Sequence, residues 1–246
     1  MITQYHRPLT LDEAIALTSR PDAVIVAGGT SVNANPTSGP VTAVDLQALE
    51  LSGIDTDGES TRIGATTLLQ DLVDSVLVPA VLRDLTRREA PNTIRNAATV
   101  GGTIGTSDPE SELLAGLLAF DAVVTLARAG STTEHALDEI LDNPVLLNGA
   151  IMTSVSIPSN GLAAADRTGR TPMDRPIVMA VAHRSHDGSV RLAMTGVAAH
   201  PVVVDPGQIG ALEPPSDFRG STDYRKKLAE VLADRVLTSV TGGESS

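Results

Sequence analysis

Two tripeptides of identical composition, Gly28-Gly29-Thr30 and Gly101-Gly102-Thr103, are the residues of this 246-residue chain best suited to chemistry. Glycine lets backbone N–H groups come close to an anion and the threonine hydroxyl adds a donor, so the guest such segments suit is a phosphate. Neither fits G-x-G-x-x-G or the P-loop, which leaves a Rossmann dinucleotide site and a nucleoside triphosphatase unsupported. Either segment alone is equally well explained as an ordinary tight turn.

Other groups invite weaker readings. His183-x-x-His186, with Asp187 and His200, has metal-ligand residue types. The pair straddles a predicted hairpin turn, however, and solvent-exposed histidines explain it better. Glu110 and Glu112 have the types of an acid–base pair, yet a position at a predicted helix start makes dipole complementation the simpler account of Glu110. Arg83, Arg87 and Arg88 form a basic helical face, read as solvated surface with partner docking as the alternative. No nucleophile has a convincing base beside it, so no catalytic residue is assigned.

The elements around these residues can be read in order. Thr10-Leu11-Asp12-Glu13 is a capping box opening a short helix, and Ala23–Ala27 is an apolar run of strand length that stops at the first glycine pair. The stretch 33–40 is turn-rich. Val41–Val44 and Thr61–Ala65 look like strands, with a turn at Asp55–Gly58; Leu68 to Val73 and Pro79 to Arg88 keep helical spacing. Residues 94–106 carry three glycines and little periodicity, which predicts an irregular backbone. A helix capped by Asp108, with Pro109 at its first position, buries Leu113, Leu114, Leu117 and Leu118. Strands follow at Ala122–Leu126 and Ala150–Ile157, then a polar connection at 160–175. The last part reads as strands at Ile177–Ala182 and Val190–Ala199 joined by a His186–Ser189 turn, and a helix capped by Ser221 or Thr222 that ends at Gly242-Gly243.

Composition narrows the function classes. A net charge of −12 disfavours nucleic acid and anionic membrane, and no apolar run is long enough to span a bilayer. With no Cys, these residues can hold neither a disulfide nor a thiolate-ligated iron–sulfur cluster. The lack of cysteine and of a leader-like start predicts a cytoplasmic protein. Two Phe, two Tyr and no Trp nearly exclude base-stacking platforms.

Taken together, Val24-Ile25-Val26-Ala27-Gly28-Gly29-Thr30-Ser31, Ile63-Gly64-Ala65-Thr66-Thr67-Leu68, and Ile94 through Ile104 resemble the FAD-binding subunit of the carbon monoxide dehydrogenase and xanthine dehydrogenase family, the molybdenum hydroxylases. The resemblance continues through Ser107–Leu114 and into Asp217–Arg225, and so covers essentially the whole chain. It implies an α+β fold: a two-lobed FAD-binding domain of the vanillyl-alcohol-oxidase/PCMH type, with lobes at 1–54 and 55–165, followed by a C-terminal α+β domain at 166–246. The implied cofactor is FAD. By the same resemblance, Ile25, Val26, Ala27, Gly28, Gly29, Thr30 and Ser31 form one contact stretch. Ala98, Thr99, Gly102, Thr103, Gly105, Thr106, Ser111 and Glu112 form a second, with Ile157 on the flavin side and Arg167 as a basic residue. Thr103 stands where Asn is commonest, Glu112 where Asp is usual and Arg167 where Lys often sits.

The implied function is electron transfer, from an iron–sulfur small subunit that serves a molybdopterin large subunit, through FAD, to an external acceptor. A stand-alone FAD-dependent oxidoreductase and a flavin-less scaffold subunit are the alternatives.

Overall fold

The computed structural model describes residues 2–34, 39–171 and 174–242, with only the backbone at 33 and 34. Three sheets follow one another along the chain. The first comprises β1 (Ile2–His6), β2 (Ala23–Val26) and β3 (Val41–Asp45), with α1 (Leu11–Thr18) and α2 (Thr30–Ala34) between them. β3 lies in the middle, parallel to both neighbours, and is buried along its whole length, which is why it reads as a nearly unbroken apolar run. β1 was not anticipated: its residues are mostly exposed, and only pairing with β3 makes it a strand.

The second sheet is antiparallel in the order β4-β5-β8-β6-β7, from β4 (Ile54–Thr56), β5 (Ser60–Gly64), β6 (Val123–Arg128), β7 (Ser131–Ala136) and β8 (Ile151–Pro158). Between β5 and β6 run α3 (Leu69–Asp74), α4 (Ala80–Glu89), α5 (Asn92–Arg95), α6 (Val100–Thr106) and α7 (Glu112–Ala119), and α8 (Leu137–Asp142) follows β7. Part of the turn expected at Asp55–Gly58 is strand: β4 pairs with β5 and the reversal itself is at 57–59. β7 and α8 were not legible, because β7 is a polar strand on one flank of the sheet.

The third sheet is antiparallel, β12-β11-β10-β9, from β9 (Leu162–Thr168), β10 (Val178–Arg184), β11 (Val190–Thr195) and β12 (Val202–Val203), and the chain closes with α9 (Thr222–Thr241). β9 occupies the stretch expected to be a connection. Its Leu162-Ala163-Ala164-Ala165 core has weak strand propensity, and pairing with β10 decides its state. β10 is buried on both faces. Met179 and Val181 pack toward the helical layer over α7, while Val178, Ala180 and Ala182 pack under α9. The segregation of strands from helices makes the fold α+β.

Local chemistry explains the helix boundaries. Thr10 accepts from the N–H of Glu13, as its capping box requires. Asp108 does not cap α7: its Oδ1 accepts from the N–H of Glu110 in a local turn, and Ser111 caps the helix by accepting from Leu114. Ser221 caps α9, and Gly242 ends it; Gly243 and residues 35–38 of the expected turn lie outside the described residues, while 33 and 34 close α2. α7 is buried on every side, and Gly116 makes this possible, since a Cβ there would stand 2.6 Å from Leu82 and Leu85 of α4. At the far end Arg225 is buried and ties α9 to the third sheet, donating to the carbonyls of Ile177 (2.7 Å) and Gly196 (3.0 Å) and pairing with Asp217 at 2.8 Å.

His183, expected in solvent, is instead 1% exposed on β10, stacked on Phe120 at 4.1 Å with Nε2 donating to the carbonyl of Asn160. Burial pushes its pKa below the ordinary histidine value. The unfolded chain therefore takes up the proton first as pH falls through about 6.5, and the folded state loses stability over the window below that value. Between pH 7.5 and 5, denaturant unfolding of the wild type should lose more stability than that of His183→Gln. Parallel pH dependences of the two would exclude this titration.

Candidate functional site

The first glycine segment leaves β2 and enters α2. Gly29 has φ +70°, a left-handed conformation that glycine adopts without strain. Gly28 is required for another reason: a Cβ on it would lie 1.7 Å from the carbonyl oxygen of Ala97. Backbone therefore packs on backbone where the first sheet meets the helical layer. Among the described residues no acceptor takes the N–H of Gly28, Gly29, Thr30 or Ser31.

The second segment is not the irregular loop expected from its glycines. It is α6, capped by Thr99 and held by the burial of Val100 and Ile104 one turn apart. Its first amides are spent inside the fold: Val100 donates to Thr67, Gly101 to Ala65, Gly102 to the Thr99 hydroxyl and Thr103 to the Thr99 carbonyl. α6 thus offers a face of small residues where the first segment offers donors. A Cβ on Gly105 would meet nothing within 4 Å. Ser31 and Thr106 join the two segments through their hydroxyls, 3.1 Å apart.

Between the segments lies a cleft of about 1040 Å³, at the upper end of the roughly 300–1,000 Å³ common for ligand sites. Of the residues singled out from the sequence, Ile25, Ala27, Gly28, Gly29, Thr30, Ser31, Ala98, Thr99, Gly102, Thr103, Gly105 and Thr106 line it. Val26, Ser111, Glu112, Ile157 and Arg167 do not. Ile157 is buried in the core behind α6, and Ser111 is occupied as the cap of α7. Glu112 is 1% exposed, its two oxygens held by Arg88 Nε at 2.7 Å and Arg167 Nη1 at 3.3 Å. Arg88 is therefore engaged inside the molecule and not part of a free basic face, and Arg87 pairs with Asp84.

Sequence reasoning missed the rims. One is Thr18 to Pro21 with Leu147 to Ala150, which carries no motif and is assembled from a helix end and a turn. The other is charged. Arg175 reaches Glu89 at 3.5 Å, Asp108 at 3.3 Å and the carbonyl of Glu110 at 3.3 Å. Desolvation raises the pKa of the buried Glu89 carboxyl, although it accepts from the N–H of Leu113 at the start of α7. Glu110, outside the helix it was expected to complement, pairs with Arg219. His186 is exposed, and among the described residues no cluster of His, Asp and Glu is placed to hold a metal.

A family model described as the FAD binding domain in molybdopterin dehydrogenase matches residues 1–160. The chain belongs to this family. Over its whole length it is 33% identical to the whole of the uncharacterized protein YgfM of Escherichia coli K12. It is 26% identical to the carbon monoxide dehydrogenase medium chain of Hydrogenophaga pseudoflava, over 96% of each chain. Among solved structures, carbon monoxide dehydrogenase from Hydrogenophaga pseudoflava superposes with a TM-score of 0.88 over 97% of each chain at 24% identity, a likeness of fold. Quinoline 2-oxidoreductase from Pseudomonas putida 86 gives 0.83 over 98% of each at 25% identity.

The cofactor of this family member is FAD, and the chain is an oxidoreductase component. Its cleft fits such a guest. A diphosphate needs donors, and the first segment has amides without partners; the facing helix lines the cleft with Gly101, Gly102 and Gly105, which leave room beside it.

The two glycine segments should respond oppositely to the same change. Gly28→Ala must displace the Ala97 carbonyl and should cost about 1–3 kcal/mol. Gly105→Ala, in open space on a helix, should stabilise the flavin-free chain by about 0.5–1 kcal/mol. Chemical denaturation of both variants measures each sign.

Proposed function

We propose that this chain is the FAD-carrying electron-transfer subunit of a molybdenum-containing hydroxylase or dehydrogenase, taking electrons from an iron–sulfur subunit and passing them to an external acceptor. The observation that carries the reading is the pairing, across one cleft, of unpartnered amides at Gly28–Ser31 with the small-residue face of α6. Relatives named as the medium chain of carbon monoxide dehydrogenase and the medium subunit of nicotine 6-hydroxylase support a place in a hetero-oligomer. The absence of cysteine supports the division of labour, since a thiolate-held cluster has to sit on another polypeptide. Among the described residues no helix is long and apolar enough to cross a membrane.

Bound FAD supplies one- and two-electron redox chemistry, and the protein supplies binding, orientation and electrostatics. In the proposed arrangement the amides of Gly28, Gly29, Thr30 and Ser31 hold the diphosphate, with Ile25 and Ala27 beside them and Val26 behind. Ala98, Thr99, Gly102, Thr103, Gly105 and Thr106 form the facing wall. Ser111, Glu112, Ile157 and Arg167 act on that wall from behind: Ile157 packs in the core under it, and the Glu112 bridge joins α4 to β9. No residue is assigned as catalytic.

Purification of the complex from the native host, with metal and cofactor analysis, should return molybdenum, iron and FAD together with a larger and a smaller subunit. The isolated chain should be yellow. Correctly folded protein that stays colourless at saturating FAD overturns the reading. Gly102→Asp supplies a sharper check. An acidic residue in the first turn of α6 suits the helix dipole, so folding should survive. A carboxylate facing a diphosphate should lower FAD affinity by about tenfold or more, and a variant with unchanged affinity would exclude this placement.

A further inference from the structure

The first glycine segment is held from outside the cleft by a residue to which neither motif nor family resemblance drew attention. Asp45, at the end of β3 and 5% exposed, accepts from the backbone N–H of Gln47 at 2.9 Å through Oδ1 and from the Tyr5 hydroxyl through Oδ2. Gln47, set in place this way, reaches back with Nε2 to donate to the carbonyl of Ala27 at 2.9 Å. The preceding peptide is pinned as well, by the N–H of Leu46 on the Val26 carbonyl at 2.9 Å.

In a trans peptide the C=O and the following N–H point in opposite directions. Ala27 and Gly28 line the cleft and Gln47 does not. A carbonyl drawn out toward Gln47 therefore turns the Gly28 N–H inward, and also carries a partial negative charge away from the place of an anion. Glycine leaves this peptide free to rotate, so something outside it has to set its direction.

We propose that Gln47 is a positioning residue for the cofactor: by holding the Ala27 carbonyl it aims the Gly28 amide into the cleft before FAD arrives. The proposal rests on the FAD-carrying reading above. Gln47 is exposed, so replacing it leaves the core intact. Three chains decide the matter, each stripped of flavin and titrated with FAD by fluorescence quenching: wild type, Gln47→Leu and Gln47→Glu.

Gln47→Leu, which removes the donor without adding charge, should bind FAD about three- to tenfold more weakly, the range expected from one lost hydrogen bond. Its melting temperature should fall by no more than about 2–4 °C. Gln47→Glu, whose ionised carboxylate can only accept, should bind at least as weakly as the leucine variant at pH 7 and regain affinity as the pH falls toward about 4.3, where a protonated carboxyl can donate again; the wild type should show no such recovery. NMR relaxation of the Gly28 amide in the flavin-free chains gives a readout that needs no cofactor, ordered in the wild type and looser in Gln47→Leu. A leucine variant with wild-type affinity, or with an equally ordered Gly28 amide, overturns the proposal. A wild type that binds no FAD while its Gly28 amide loosens on Gln47→Leu would sink the functional reading and leave the pinning intact.

Discussion

A methyl group on residue 28 would stand 1.7 Å from the carbonyl oxygen of Ala97, closer than any two such atoms can come. Everything else about the cleft follows from the hydrogen that stands there instead. The first sheet can approach the helical layer to backbone contact, Ser31 and Thr106 can meet, and the amides beyond Gly28 face a wall instead of open water. The contact joins parts of the chain some seventy residues apart, so it forms only when both the strand before it and the helices facing it are in place.

The two sides of the cleft solve different problems. A chain with a net charge of −12 has to hold an anionic cofactor, yet the two arginines that line the cleft, Arg20 and Arg175, and the two behind its wall all face carboxylates of the protein, Arg20 that of Asp22 at 3.4 Å. Arg88 and Arg167 hold Glu112, and Arg175 is shared between Glu89 and Asp108. In the proposed arrangement attraction comes from backbone dipoles, which carry partial positive charge at fixed points and need no counter-ion. The arginine bridges serve architecture: they run from β9 and the segment before β10 to α4 and α7, and so tie the third sheet to the layer that forms the cleft wall. A half-buried bridge of this kind is costly to break from one side, because the remaining charge is left without a partner.

Much of the scaffold was legible because local signals and tertiary packing agree. The unbroken apolar run of β10, the apolar stripe of α9 and the caps at Thr10 and Ser221 are visible as residue patterns and are what the fold uses. Where the two disagree, packing wins. Residues 99–106 carry three glycines and still form a helix, since Thr99 satisfies its first turn and Val100 and Ile104 are buried. Leu162–Thr168 looks like a connection and becomes a strand because β10 offers it a partner. Asp108 has the type and position of a helix cap, but its carboxylate is consumed two residues on, and the cap passes to Ser111.

From the residues alone came the two glycine segments, the phosphate chemistry they suit, the absence of any thiolate ligand, and an order of motifs that resembles one family of flavoproteins. All of these are properties of residue types and their spacing. The tertiary structure decided which amides are available. Those of α6 are used up by Thr67, Ala65 and Thr99, and those of Gly28 to Ser31 are not. It also decided that Glu112 is a bridge within the protein, that Arg175 belongs to the cleft, and that Gln47 holds the Ala27 carbonyl. Hydrogen-bond satisfaction depends on which groups meet in space, and residues distant in sequence meet only once the chain has folded.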